Sequence, residues 1–249
     1  MTSVSSPSPL PEQTRRQAAT IAPHRAYVGP EDRYDLIGGM QFRLLLALGL
    51  RESHRLLDFG CGSLRAGRLF IPYLGRGNYH GLEPNHWLVQ KAIEQEIGHD
   101  LVALKWPHFH CTDGFQADEC GRDFDYILAQ SIFSHTGVDL LRRALQSFAR
   151  ALSPMGIAVA TFIHAQKDSV PLDDTDGWVY PGVVAYDPRR LQEEIQGCGL
   201  AGRPLPWYHP NHQTWYVLSK HAAALPDPAL DRHFGGAIWR VPECADSLK

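Results

Sequence analysis

The segment Leu56-Leu57-Asp58-Phe59-Gly60-Cys61-Gly62-Ser63-Leu64-Arg65-Ala66-Gly67 constrains this chain more than any other. Arg55 to Phe59 is a short run of buried-strand character. Gly60-Cys61-Gly62 is a tight turn, and an apolar helical pattern through Leu69, Phe70 and Leu74 follows it. Strand, glycine turn and helix in that order open a parallel α/β sheet, in which ligands bind beyond the carboxyl ends of the strands. Glycines let the backbone approach a ligand, and the start of the helix offers free N–H groups and the positive end of its dipole. The spacing Gly-x-Gly-x-x-x-x-Gly departs from the Gly-x-Gly-x-x-Gly that accommodates a pyrophosphate, which disfavours a nicotinamide or flavin enzyme.

The rest of the chain continues the alternation. Tyr34 to Leu50 carries apolar residues at helical spacing ahead of the first strand. Asn78 to Leu82 reads as a second strand ending in Glu83, Trp87 to Ile97 as a helix, and His108 to Cys111 as a short third strand. Phe124 to Ala129 reads as a buried fourth strand. A helix from Asp139 follows, with Leu140, Leu141, Ala144, Phe148 and Leu152 on one face, then a fifth strand from Ile157 to Phe162. The irregular, Asp-rich and aromatic stretch at about 164–187 is too long for a simple connection and is expected to be a substrate lid. Pro188 to Cys198 reads as a helix, and Gly202–Tyr208 with Gln213–Ser219 as an antiparallel hairpin.

Composition narrows the function. A formal net charge of −3 and a pI near 6.5 provide no broad basic field for a phosphate backbone, which weakens the case for nucleic acid. The odd, scattered cysteines Cys61, Cys111, Cys120, Cys198 and Cys244 never fall as Cys-x-x-Cys, pointing to a reducing cytoplasm and no zinc ribbon. His108 and His110 alternate on a strand but lack a third ligand nearby, so no metal is expected. No stretch has the roughly 18 apolar residues of a membrane span.

The glycine-turn segment resembles motif I of the class I S-adenosylmethionine-dependent methyltransferases, and the resemblance extends to about Phe162. Tyr79-His80-Gly81-Leu82-Glu83-Pro84-Asn85 resembles motif II. Glu83 stands about 20 residues past the turn, where a carboxylate can accept hydrogen bonds from both ribose hydroxyls. Cys111-Thr112-Asp113-Gly114-Phe115 resembles the segment that contacts adenine. Phe124 to His135 resembles motif IV, and Ala151-Leu152-Ser153-Pro154-Met155-Gly156 resembles the turn before the fifth strand. The resemblance implies a Rossmann-like, doubly wound fold: a mainly parallel seven-stranded sheet with an antiparallel C-terminal hairpin strand, an N-terminal helical arm and a lid. It implies S-adenosylmethionine as cofactor, held by Asp58, Gly60, Cys61, Gly62 and Arg65, by Glu83 and Pro84, by Asp113, Gly114 and Phe115, and by Gln130 and Ser131. The segment from Tyr27-Val28-Gly29-Pro30 to Tyr34, Gly38 and Gly39 is expected to fold over it, with Tyr34 and Gly39 as contacts. The corresponding organisation is an arm at 1–20 without fixed structure, an N-terminal helical segment at 21–54, a methyltransferase domain at 55–219 and a tail at 220–249.

Methyl transfer from a sulfonium is an in-line displacement, so alignment alone supplies much of the acceleration. A base helps where the acceptor carries a proton, and His135 and His164, following the fourth and fifth strands, are the candidates. Trp178, Tyr180, Tyr208, His209 and His212 are candidate acceptor contacts. Asp173, Asp174 and Asp176 offer an alternative for a cationic acceptor. Gln130-Ser131-Ile132-Phe133 is not the Asn/Asp-Pro-Pro-aromatic pattern of amino-group nucleobase methylases, which favours O- or N-methylation of a small molecule. A protein methyltransferase and a non-catalytic cofactor-binding regulator are the alternatives.

Overall fold

Every residue of β1, Leu56–Phe59, is buried, as a strand covered on both faces requires. The computed structural model describes residues 23–165 and 175–234, and it places β1 inside a sheet of order β3-β2-β1-β4-β5-β8-β7. The strands are β2 (Tyr79–Leu82), β3 (His108–His110), β4 (Phe124–Ala129), β5 (Leu152–His164), β7 (Ala201–Leu205) and β8 (Thr214–Ser219). The short β6, Ala185–Tyr186, pairs in parallel with the end of β5. β1 pairs in parallel with β2 and β4, β2 with β3, and β4 with β5, while β8 is antiparallel to both β5 and β7. The chain winds outward from β1 in one direction to β3 and in the other to β4 and beyond, so the crevice at a topological switch point opens at the carboxyl ends of β1 and β4.

Strand alternation sends side chains to two apolar layers. Leu57, Phe59, Ile127 and Ala129 join Leu141, Leu145 and Phe148 of α6, Val138–Ala151. On the other face Leu56, Tyr126 and Leu128 meet Phe70 and Ile71 of α3, Gly67–Tyr73, and Trp215 of β8. The remaining helices are α1 (Pro23–Tyr27), α2 (Tyr34–Ala47), α4 (His86–Ala92), α5 (His99–Lys105), α7 (Pro188–Gly197) and α8 (Asp231–Phe234). Asp187 caps α7 by accepting from the amides of Arg189 and Arg190, and Pro188 occupies the first turn.

Several element bounds differ from the sequence reading. The expected helix over Trp87–Ile97 is α4 followed by a π-helical turn, Ile93–Ile97. Gly98, at φ 79°, then starts α5, which buries none of its residues fully and packs Leu101 partly against the core. β5 begins at Leu152 rather than Ile157, across a register shift opposite Phe124 and Tyr126. The closing hairpin strands stop at Leu205 and start at Thr214, leaving a longer loop than the His209–His212 turn. Of the expected lid, Gly177 to Val184 is stitched by backbone hydrogen bonds to the chain after β4: Gly137 N–H to Gly177, Val179 N–H to His135 and Val184 N–H to Ser134. Asp173 and Asp174 lie outside the described residues.

Candidate active site

The glycine turn after β1 exists because its neighbours press on it. Gly60 (φ 80°) and Gly62 (φ 53°) hold left-handed conformations, and a Cβ on Gly62 would meet Val28 Cγ1 at 2.7 Å. The turn, the ends of β2, β3 and β4, the arm at Tyr27–Gly29 and the 178–183 segment enclose one cavity of about 640 Å³.

On one side of that cavity charge is concentrated. Glu83, buried at the end of β2, accepts the Gly62 N–H at 3.1 Å through Oε2 and the Asn85 backbone and side-chain N–H groups at 2.9 and 2.8 Å through Oε1. Burial raises its pKa, and these hydrogen bonds oppose the rise. Asp58 is buried on β1 with Oδ2 accepting from Tyr79 Oη at 2.8 Å, and burial lifts its pKa to about 6 against that bond. Arg65 donates to Val28 O at 3.0 Å and to Gln130 Oε1, while its Nε is buried without a partner. Burial lowers its pKa to about 10, leaving it charged at neutral pH. Asp113 also faces the cavity.

The arm is held in place from behind. Arg25 forks onto the buried Glu96 through Nε and Nη2, both at 2.6 Å, and His24 Nε2 meets the same carboxylate at 2.7 Å. Tyr27 then packs edge-on against Trp87 at 5.4 Å and faces Tyr180 at 6.4 Å.

Beyond β4 the described lining residues are uncharged. Gln130 is a hub: it meets Gln41 at 3.1 Å, Arg65, Ser131 Oγ and His209 Nε2, the last at 2.9 Å. Ser131, at φ 58°, is pinned by its N–H to Thr161 Oγ1 at 2.7 Å and accepts from Gln213 Nε2 at 2.9 Å. His135 Nδ1 donates to Gly182 O at 2.7 Å, which fixes the tautomer and leaves Nε2 as the basic nitrogen. Burial lowers its pKa, so the ring is neutral at pH 7. Its ring lies 5.6 Å from Trp178 and 5.0 Å from Tyr180.

Residues 57–158 match the family model described as a methyltransferase domain, which spans the glycine turn, Glu83, Asp113 and the end of β4. Over these residues the chain is similar to a methyltransferase domain. No curated protein matches the chain in sequence. Among solved structures, the fold resembles that of a TehB-like SAM-dependent methyltransferase from Corynebacterium glutamicum at 21% identity, over 85% of this chain and 100% of that one, with a TM-score of 0.55. It also resembles magnesium protoporphyrin IX methyltransferase from Synechocystis with bound SAM, at 13% identity over 84% and 91% of the two chains, TM-score 0.56. The DhpI–SAH complex matches at 16% identity over 84% and 91%, TM-score 0.54.

In this protein the cavity gathers Asp58, Gly60, Cys61, Gly62, Arg65, Glu83, Pro84, Asp113, Phe115, Gln130 and Ser131, together with His135, Trp178 and Tyr180. Other expected contacts stand off it. Tyr34 is buried behind the turn, its Oη donating to Ser63 O at 2.7 Å. Gly39 has open space where a Cβ would go, and Gly38 is the glycine that closely approaches the Arg65 carbonyl. Gly114 turns away while Thr112 lines the wall and accepts its N–H. His164 falls on the opposite face of β5 from the lining Ile163, with both ring nitrogens engaged, Nε2 with Tyr216 Oη at 3.0 Å and Nδ1 with Thr214 Oγ1 at 3.4 Å. Tyr208 and His212 are exposed outside the cavity, and His209 is buried behind Gln130. Their neighbours Asn211 and Gln213 line the wall instead. Sequence reasoning passed over these two amides, and over Gln41 and Ser134, because no motif or period marks them.

Proposed function

We propose that this protein transfers the methyl group of S-adenosylmethionine to an oxygen or nitrogen atom of a small-molecule acceptor, with His135 as general base. The observation that carries this reading is the tautomer of His135: one nitrogen is tied to Gly182 O, and the other belongs to a ring that lines the same cavity as the glycine turn.

The charged half of the cavity fits the cofactor. Arg65 is the cationic side chain among the described lining residues, and its unpartnered Nε suits the methionine carboxylate. Glu83 retains acceptor capacity for ribose hydroxyls, and Asp113 with Phe115 suits the adenine amino group and ring. Gly60 and Gly62 keep the wall free of side chains, and the segment before β1 covers it through Tyr27, Val28 and Gly29. When bound, S-adenosylmethionine supplies an electrophilic methyl carbon whose bonding pair stays on sulfur as the acceptor's lone pair forms the new bond. His135 Nε2 takes the acceptor's proton, and the 178–183 segment shields the cavity from water.

Among the described residues no helix is long and apolar enough to cross a membrane, and Cys61, Cys111, Cys120 and Cys198 are free thiols, which supports a reducing cytoplasmic setting. Calorimetric titration with S-adenosylmethionine, S-adenosylhomocysteine and reduced nicotinamide dinucleotide tests the cofactor. Binding of the first two alone supports the reading, and binding of the dinucleotide or of none overturns it.

A further inference from the structure

We propose that the half of the cavity beyond β4 accepts a neutral, planar hydroxyarene, with Trp178 setting this preference and His135 receiving the hydroxyl proton. The inference rests on the cofactor reading above and adds the class of acceptor.

Charge is the first argument. Among the described lining residues the formal charges belong to Asp58, Arg65, Glu83 and Asp113, all on segments before β4, and none from Gln130 onward carries one. A carboxylate or ammonium acceptor would shed its hydration there without a counter-ion among the described lining residues, a cost of several kcal/mol by order of magnitude. An ammonium nitrogen also has no lone pair to attack with.

Shape is the second. Trp178 and Tyr180 present near-parallel rings, 21° apart with centroids 6.3 Å from each other. That spacing leaves no slot between the rings, so an acceptor lies against the wall rather than inside it. Trp178 keeps 49% of its surface exposed, an area that a stacked planar ring would cover.

Proton chemistry is the third. His135 is a weak base, its pKa held below the ordinary 6.5 by burial. It can accept the proton of a phenol-like hydroxyl of pKa about 10 far more readily than one near the roughly 15.7 of water. Transfer leaves an aryl oxide to attack and an imidazolium that returns its proton to solvent. Gln213 fixes its Nε2 on Ser131 Oγ and leaves a buried, unpartnered Oε1, which suits a second donor on the acceptor.

The test titrates the protein loaded with S-adenosylhomocysteine with naphthol, hydroxybenzoate and tyramine, and offers the same compounds as acceptors with S-adenosylmethionine. Naphthol is expected to bind at least about tenfold more tightly than either charged compound and to be the one methylated. Trp178→Ala should weaken naphthol about three- to tenfold while S-adenosylhomocysteine affinity stays within about twofold, and Trp178→Phe should restore naphthol binding. Equal or tighter binding of a charged compound, absence of naphthol binding to the loaded protein, or a Trp178→Ala protein indifferent to naphthol overturns the proposal. Failure of S-adenosylhomocysteine itself to bind removes the cofactor reading instead, and this proposal with it.

Discussion

Glu83 Oε2 accepts the backbone N–H of Gly62 at 3.1 Å, so the acidic residue that ends β2 also fixes the turn that ends β1. The two motifs most legible in the sequence are thus one physical unit. A carboxylate engaged by backbone amides is already oriented when a ligand arrives, and little of the binding energy is consumed in ordering it.

Glu83→Ala should therefore lose both the ribose acceptor and the brace on the turn. Cofactor affinity should fall by on the order of 1–3 kcal/mol in calorimetry. Glu83→Gln keeps the shape but replaces the second oxygen with a donor facing the Gly62 N–H, so it should recover only part of the loss. An Ala variant that binds S-adenosylhomocysteine as tightly as the parent would remove Glu83 from the site.

His135 predicts a pH profile. Its basic form predominates above a pKa that burial has lowered from 6.5, so kcat/KM should climb with pH on the acidic side and level off before neutrality. His135→Ala should abolish that limb and reduce kcat by roughly 10²–10⁴ with cofactor affinity kept. His164→Ala, whose ring serves Tyr216 and Thr214, should leave the limb in place. A profile that stays unchanged in the His135 variant would leave alignment alone as the source of rate.

Asp58 makes a different pH prediction. Its folded-state pKa is about 6 against an ordinary 3.8, so between those values the folded protein binds more protons than the unfolded chain. Stability should decline as pH rises through that window and be flat above it. Asp58→Asn, which can still accept from Tyr79, should erase the slope and stabilise the ligand-free protein at pH 7.5 by on the order of 2–3 kcal/mol. Denaturant melts at pH 4.5 and 7.5 measure this, and a variant less stable than the parent at both would contradict it.

Glu96→Ala should release the arm. With His24 unpaired and Arg25 left with its longer 3.9 Å ion pair to Asp35, trypsin should cut near Arg25 and Arg33 faster, and S-adenosylhomocysteine should dissociate sooner because Val28 and Gly29 no longer close the wall. The loss in affinity should be on the order of 1–2 kcal/mol. Unaltered cleavage and unaltered release would show that Arg65 and packing alone retain the arm.

What the sequence made readable was local. The glycine turn, the β2 carboxylate and the two apolar faces of β4 depend on residues a few positions apart, and periodicity reports these directly. What escaped it was tertiary. Nothing near His209 in sequence says that it will back onto Gln130, and nothing near Gln213 says that Ser131 will meet it. His164 went the other way from Ile163 because one step along a strand reverses the face, a choice that depends on register rather than composition. α5 was silent because a π-helical turn and Gly98 break the phase ahead of it.

The direction of β8 has a consequence for how the protein is made. Because β8 runs against its neighbours, the loop before it comes back to the ligand edge of the sheet and delivers Asn211 and Gln213 there. A ribosome releasing this chain exposes the glycine turn well before it reaches Asn211 and Gln213, so that part of the cavity wall waits for them. Until β8 has docked, the nascent chain also leaves the long edge of β5 unpaired. Competence to bind an acceptor and protection from edge-to-edge aggregation therefore arrive together, in one late folding event.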